Sequence, residues 1–117
     1  MPNSFKLEIS VALSVNALFA KLAPTKAIGT MKIKFVQEAE RRLLFIAPHI
    51  LFTPSQNVLL ICKSTGEKTS KVLVNSSLIA SQSKVDFGRN KLNCETIKRF
   101  IETLTTKEES NTIAKVR

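Results

Sequence analysis

The chain opens on a strict alternation. Phe5, Leu7, Ile9, Val11, Leu13 and Val15 are apolar, and Lys6, Glu8, Ser10, Ala12, Ser14 and Asn16 stand between them. A period of two places the apolar set on one face of a strand. The end of this run overlaps a short helix predicted over 16–23, with Asn16 as its cap and Pro24 as its stop. After Gly29 a second alternation covers 30–36. Met31, Ile33 and Phe35 point one way and Lys32 and Lys34 the other, which predicts a strand with one apolar and one basic face. Segment 37–42 is charged and reads as a turn or one helical turn. Segment 43–52 is almost wholly apolar but contains Pro48, so the strand is confined to 43–47 and a loop follows through Pro54.

Segments 57–62 and 70–74 predict a hairpin, with Gly66 in the polar stretch between them supplying the turn. Segment 76–83 has no clear period, and Gly88 lies in a polar loop. Leu92, Ile97, Phe100, Ile101 and Leu104 share one helical face, while Lys98, Arg99 and Glu102 lie off it. Asn93 suits the N-cap and Glu95 the first turn, which predicts a helix over 94–105. The expected fold class is α+β: a mostly antiparallel sheet of about four strands with two helices on one face. The 117 residues suffice for one domain, expected over 1–106, with a polar, frayed tail over 107–117.

Charge narrows the partners. Eighteen Lys and Arg against nine Asp and Glu give a formal charge of +9, which favours acidic partners. Lys32 and Lys34 share a strand face, Lys63, Lys68 and Lys71 flank the hairpin, and Lys84, Arg89 and Lys91 fall in the loop after it. If gathered by the fold, these eight form a phosphate-contact patch suited to RNA or a ribonucleoprotein. The seven Phe come without any Tyr or Trp, which argues against a base-stacking platform. A protein partner or a homodimer is expected through an uncovered sheet edge, at the strand beginning at Phe5 or at Asn57, or through the apolar segment 43–52.

The parts of a self-sufficient active site are missing. His49 is the one histidine and has no local partner to orient it. Asp86 is the one aspartate, and the glutamates sit in polar segments rather than as paired carboxylates. Gly29, Gly66 and Gly88 do not make a phosphate cradle. Cys62 and Cys94 form neither a C-x-x-C pair nor a His/Cys cluster. No metal or cofactor is expected, and the thiols read as reduced, with a disulfide between them left open. Asn75, Ser76 and Ser77 match a glycosylation sequon, which matters only in a secreted chain.

The apolar runs 9–20 and 43–52 fall short of the roughly 20 residues of a membrane-spanning helix. Run 9–20 can be read as a signal-peptide core cleaved near Val15 and Ala17, although Glu8 cancels Lys6 before it. A cytoplasmic or nuclear location is expected, ahead of a secreted or mitochondrial one.

Two resemblances bear on function. The opening strand from Phe5 to Val11, the run from Asn57 to Ile61 and the run from Lys71 to Ser77, with Phe100–Leu104 as a closing helix, resemble the small dimerising subunit of KEOPS, the tRNA threonylcarbamoylation complex. That resemblance implies a non-catalytic subunit that dimerises and docks on a catalytic partner. Segment 36–56 is longer than that family's connection, and 82–92 separates Ser77 from the closing helix. Leu18, Phe19, segment 31–34 and segment 59–74 are similar to the Alu-domain subunits of the signal recognition particle, which implies RNA backbone binding. The expected function is a non-enzymatic, small, basic accessory subunit of an RNA-containing or RNA-modifying assembly. The alternatives are a small membrane-associated or secreted protein, or a chain with no strongly evolved function, since the patterning is less consistent in the middle than at the ends.

Overall fold

The computed structural model describes residues 4–48, 54–79 and 88–116, with side chains as far as Thr105. Strand β1 (Ser4–Val11) leads into helix α1 (Val15–Leu22). Five strands follow: β2 (Ala27–Ile28), β3 (Met31–Gln37), β4 (Arg42–Ala47), β5 (Gln56–Gly66) and β6 (Thr69–Leu78). Helix α2 (Arg89–Val116) ends the chain. The fold is α+β and the sheet antiparallel, as expected, but it has six strands rather than about four, in the order β1-β6-β5-β4-β3-β2. β2 has only two residues, too few to show a period.

The opening alternation holds as a strand only to Val11. Ser14, not Asn16, caps α1: its Oγ accepts from the Ala17 N–H at 3.2 Å. Leu18 and Leu22, one helical turn apart, are fully buried. Asn16 instead accepts from the Arg41 guanidinium at 2.8 Å, tying α1 to the β3–β4 turn.

Register assigns the two faces of the sheet. Phe5, Ser76, Val58, Phe45 and Ile33 line up across five strands, and Leu7, Val74, Leu60, Leu43 and Val36 form the next row. These rows, with Ile9, Val72 and Cys62, face inward and form one core with Leu18, Leu22, Cys94, Ile97 and Ile101 of the two helices. Helix α2 touches both edge strands, β1 and β2, as well as β5 and β6, so the sheet curls around it. Gly29, in the β2–β3 turn at φ 61°, faces Thr96 of α2: a Cβ at Gly29 would stand 3.8 Å from Thr96 Cγ2.

β3 departs from its predicted alternation. A bulge between Ile33 and Phe35 turns Phe35 outward opposite Leu44, where it is 38% exposed, and brings Val36 inward opposite Leu43. The β5–β6 hairpin is longer than expected and turns at Glu67 and Lys68, with Gly66 as the last residue of β5. β5 lies between β4 and β6, so it is not the sheet edge it was expected to offer; β1 is an edge. The predicted start of the last helix at 94 is five residues late, since α2 begins at Arg89. Among the described residues no helix is long and apolar enough to cross a membrane.

Candidate functional site

The inward face is not uniformly apolar. At the hairpin end it is filled by Leu18, Leu22, Leu43 and Leu60. At the other end, where β5 begins, β6 ends and α2 starts, four polar side chains are buried together: Gln56, Ser76, Asn90 and Asn93, each 3% exposed or less. Pro48, Pro54, Ile79 and Gly88, which flank segments 49–53 and 80–87 in the chain, follow or precede the elements that meet at this end.

A buried amide costs about 1–3 kcal/mol when it lacks a hydrogen-bond partner, so such a group persists only inside a network. Here Asn93 Nδ2 donates to Gln56 Oε1 at 3.0 Å and to Ser76 Oγ at 3.2 Å. Ser76 Oγ donates to Asn90 Oδ1 at 2.8 Å. Gln56 Nε2 donates to the Pro54 carbonyl. The network joins β5, β6 and the first two turns of α2. Ala47, opposite Gln56, is small, so the amides are not crowded by a large side chain from β4.

Asn93 was expected as the helix cap; it sits inside α2 and points into the core. Asn90 lies three residues before it, on the side that buries Cys94, Ile97 and Ile101. Cys94 Sγ donates to the Phe5 carbonyl at 3.4 Å and links α2 to β1. Both thiols are free and buried, which answers the open question of a disulfide. Burial pushes each thiol up to about 11, against Arg41 at Cys62 and against the Ser76 backbone hydrogen bond at Cys94. At neutral pH both are protonated and neither is a ready nucleophile.

Arg89 stands one helical turn before Asn93 on α2 and is partly buried. Its Nε is buried and has no hydrogen-bond partner. The first turn of α2 contains no acidic residue.

The sequence did not single out Gln56, Ser76 or Asn90, although a signal was present. Gln56 continues the inward set Val58, Leu60 and Cys62 back by two, and Ser76 continues Val72 and Val74 forward by two. A polar residue in phase with an apolar strand face is the mark that was missed.

The seven basic candidates among the described residues stand in three places. Lys63 and Lys71 are cross-strand partners near the hairpin turn, with Lys68 in the turn itself, and Lys71 is paired with Glu8 at 2.8 Å. Lys32 and Lys34 are exposed on β3, two strands from β5. Arg89 and Lys91 open α2 at the far end of β6. Lys84, His49 and Asp86 lie outside the described residues. The sequon runs along the interior strand β6, with Ser76 fully buried and Asn75 Oδ1 buried without a partner.

No family model matches the chain, and no curated protein matches it in sequence. Solved structures do match its fold. The di-domain ARO/CYC (aromatase/cyclase) BexL of the BE-7585A biosynthetic pathway superposes with a TM-score of 0.66 at 12% identity, over 92% of this chain and 47% of BexL. A START superfamily protein from Mycobacterium smegmatis gives 0.63 at 10% identity, over 93% of this chain and 99% of that one. DynU16, from the dynemicin biosynthetic locus, gives 0.62 at 15% identity, over 92% of this chain and 49% of that one. The chain thus spans about half of BexL and DynU16 and nearly all of the mycobacterial protein. At these identities the likeness is one of fold.

This fold overturns both sequence resemblances. The structural neighbours are START and aromatase/cyclase proteins, not KEOPS or Alu-domain subunits, and the expected RNA-assembly role falls with them. The misleading runs were generic strand patterns: 57–61 and 71–77 are the inner strands of a curled sheet that any antiparallel α+β chain could share. The alternatives of a membrane-associated or secreted protein, or of a chain without an evolved role, gain no support either. The expectation of a non-enzyme is not confirmed, because the neighbours include aromatase/cyclases.

Proposed function

We propose that the chain binds an apolar small molecule on the inward face of the sheet, beneath α2, with the ligand's polar group against the Gln56, Ser76, Asn90 and Asn93 network. The observation that carries this reading is the placement of that network. It is buried, it gathers four polar side chains at one end of a mostly apolar face, and it lies where the β4–β5 and β6–α2 connections leave the sheet. A few convergent polar groups in an apolar concavity fix a ligand's orientation while the walls supply affinity. START and ARO/CYC neighbours support the same reading by fold analogy.

Binding has better support than catalysis in this chain. Among the described residues, the ionisable side chains buried in the core are the Cys62 and Cys94 thiols, and both are held protonated. Amides and a hydroxyl orient a carbonyl or hydroxyl group; they do not exchange protons with it at neutral pH.

The test uses N-phenylnaphthylamine, a neutral dye whose emission rises in an apolar site. With no Trp or Tyr in the chain, protein fluorescence does not interfere. The expected result is saturable enhancement at one dye per chain, weakened several-fold by Val58→Glu. Enhancement that is non-saturable, or unchanged in that variant when it remains folded, overturns the reading.

A further inference from the structure

We infer that the ligand carries a carboxylate or another single anionic group, and that Arg89 is the residue that receives it. This rests on the ligand-binding reading above and adds the charge class of the ligand.

A guanidinium is always charged, and taking it out of water is costly unless an anion or acceptors replace the lost hydration. Arg89 is partly buried, its Nε is fully enclosed, and it makes no ion pair or hydrogen bond among the described residues. Arg41, by contrast, is satisfied by Asn16 at 2.8 Å.

The described carboxylates stand elsewhere. Glu8 faces outward on β1 and pairs with Lys71. Glu38 and Glu40 lie in the β3–β4 turn, and Glu67 lies in the hairpin turn at the far end of the sheet. Glu95 and Glu102 line a shallow groove with Phe5 and Leu7 on the β1 side of α2. All six are exposed.

Among the described residues, the setting leaves Arg89 open to a ligand group. Arg89 and Asn93 are four residues apart on α2, so they share one flank of the helix, and Asn93 is bonded into the buried network. An anion at Arg89 therefore sits one helical turn beyond the amides, with the apolar face of β4, β5 and β6 running away from it. A molecule with an apolar body and one anionic end fits that sequence of surfaces. A guanidinium pairs with a carboxylate through two parallel hydrogen bonds, stronger than those a neutral hydroxyl can accept.

The experiment compares two probes of nearly equal size and shape, naphthaleneacetic acid and naphthaleneethanol, as competitors of N-phenylnaphthylamine on the intact chain at neutral pH. The expected result is that the acid displaces the dye at about a tenfold lower concentration than the alcohol, the gain of one charge-assisted contact. In Arg89→Gln the preference should shrink to within about twofold, with the alcohol unaffected; Arg89→Lys should retain part of it. Circular dichroism melts of the variants establish that they are folded. The wild-type comparison stands on its own if a variant is not. Equal displacement by acid and alcohol overturns the anionic ligand while leaving apolar binding intact; a preference for the acid that survives Arg89→Gln overturns Arg89 as the residue that receives it. Failure of the dye itself to bind overturns the ligand-binding reading and this inference together.

Discussion

Asn93 Nδ2 donates to Gln56 Oε1 at 3.0 Å, across 37 residues of chain and between two side chains that solvent barely reaches. This bond fixes the first turns of α2 over the start of β5. Asn93→Ala leaves the Gln56 and Ser76 oxygens without their donor, and the expected cost is about 2–3 kcal/mol of unfolding free energy. Urea denaturation followed by circular dichroism measures it. Removing both amides, in Gln56→Leu with Asn93→Leu, should cost less than the sum of the single changes, because neither side of the Asn93–Gln56 bond is then left unpaired. Strict additivity would show that the two side chains act independently.

The bulge in β3 predicts a contrast between two phenylalanines. Phe45 is fully buried on the inward face, whereas Phe35 is turned outward and 38% exposed. Phe45→Ala should cost about 3–5 kcal/mol. Phe35→Ala should cost less than about 1 kcal/mol. Equal costs in urea titrations would mean that Phe35 is inside, as its unbroken alternation with Met31 and Ile33 predicts.

The buried thiols set a pH dependence at the alkaline side. In the folded chain Cys62 and Cys94 titrate near 11 rather than 9. Between these values the unfolded state has lost thiol protons that the folded state keeps. Stability is therefore undiminished by the thiols below about pH 9 and falls as pH rises from about 9 towards 11. Urea midpoints in Cys94→Ala should fall less steeply over that window than in the parent chain. The thiols should also react slowly with a disulfide reagent at neutral pH until denaturant is added.

Ser14 caps α1, and α1 contributes Leu18 and Leu22 to the core. Ser14→Ala should cost about 1 kcal/mol, whereas Asn16→Ala, at the residue the sequence pattern offers as the cap, loses only an exposed contact to Arg41 and should cost less. Thermal melts rank the two.

Much of the fold was legible where one period ran unbroken. Ile9 and Val11, and Ile97 and Ile101, face the core as their spacing predicts. The failures have separate causes. The β3 bulge moves Phe35 without changing the sequence alternation. Asn93 has the residue type of a cap, and only the packing of α2 on β5 shows that it is interior. The site was less legible than the fold, because a buried polar group in a strand and an exposed one look alike until register is known. Ser76 and Ser77 are neighbours of the same type, yet Ser76 is fully buried and Ser77 only partly. The basic residues drew attention to charge; among the described ones, Arg89 and Lys91 open α2 beside the buried network.

The most direct test of the account follows the side-chain amide resonances of Gln56, Asn90 and Asn93 by heteronuclear NMR during titration with N-phenylnaphthylamine. The account predicts saturable shifts at these amides and at the methyl groups of Val58 and Val74, with Leu44, Leu59 and Leu73 on the outward face unmoved. Shifts confined to the outward leucines, or no saturable shift at the three amides, would contradict it.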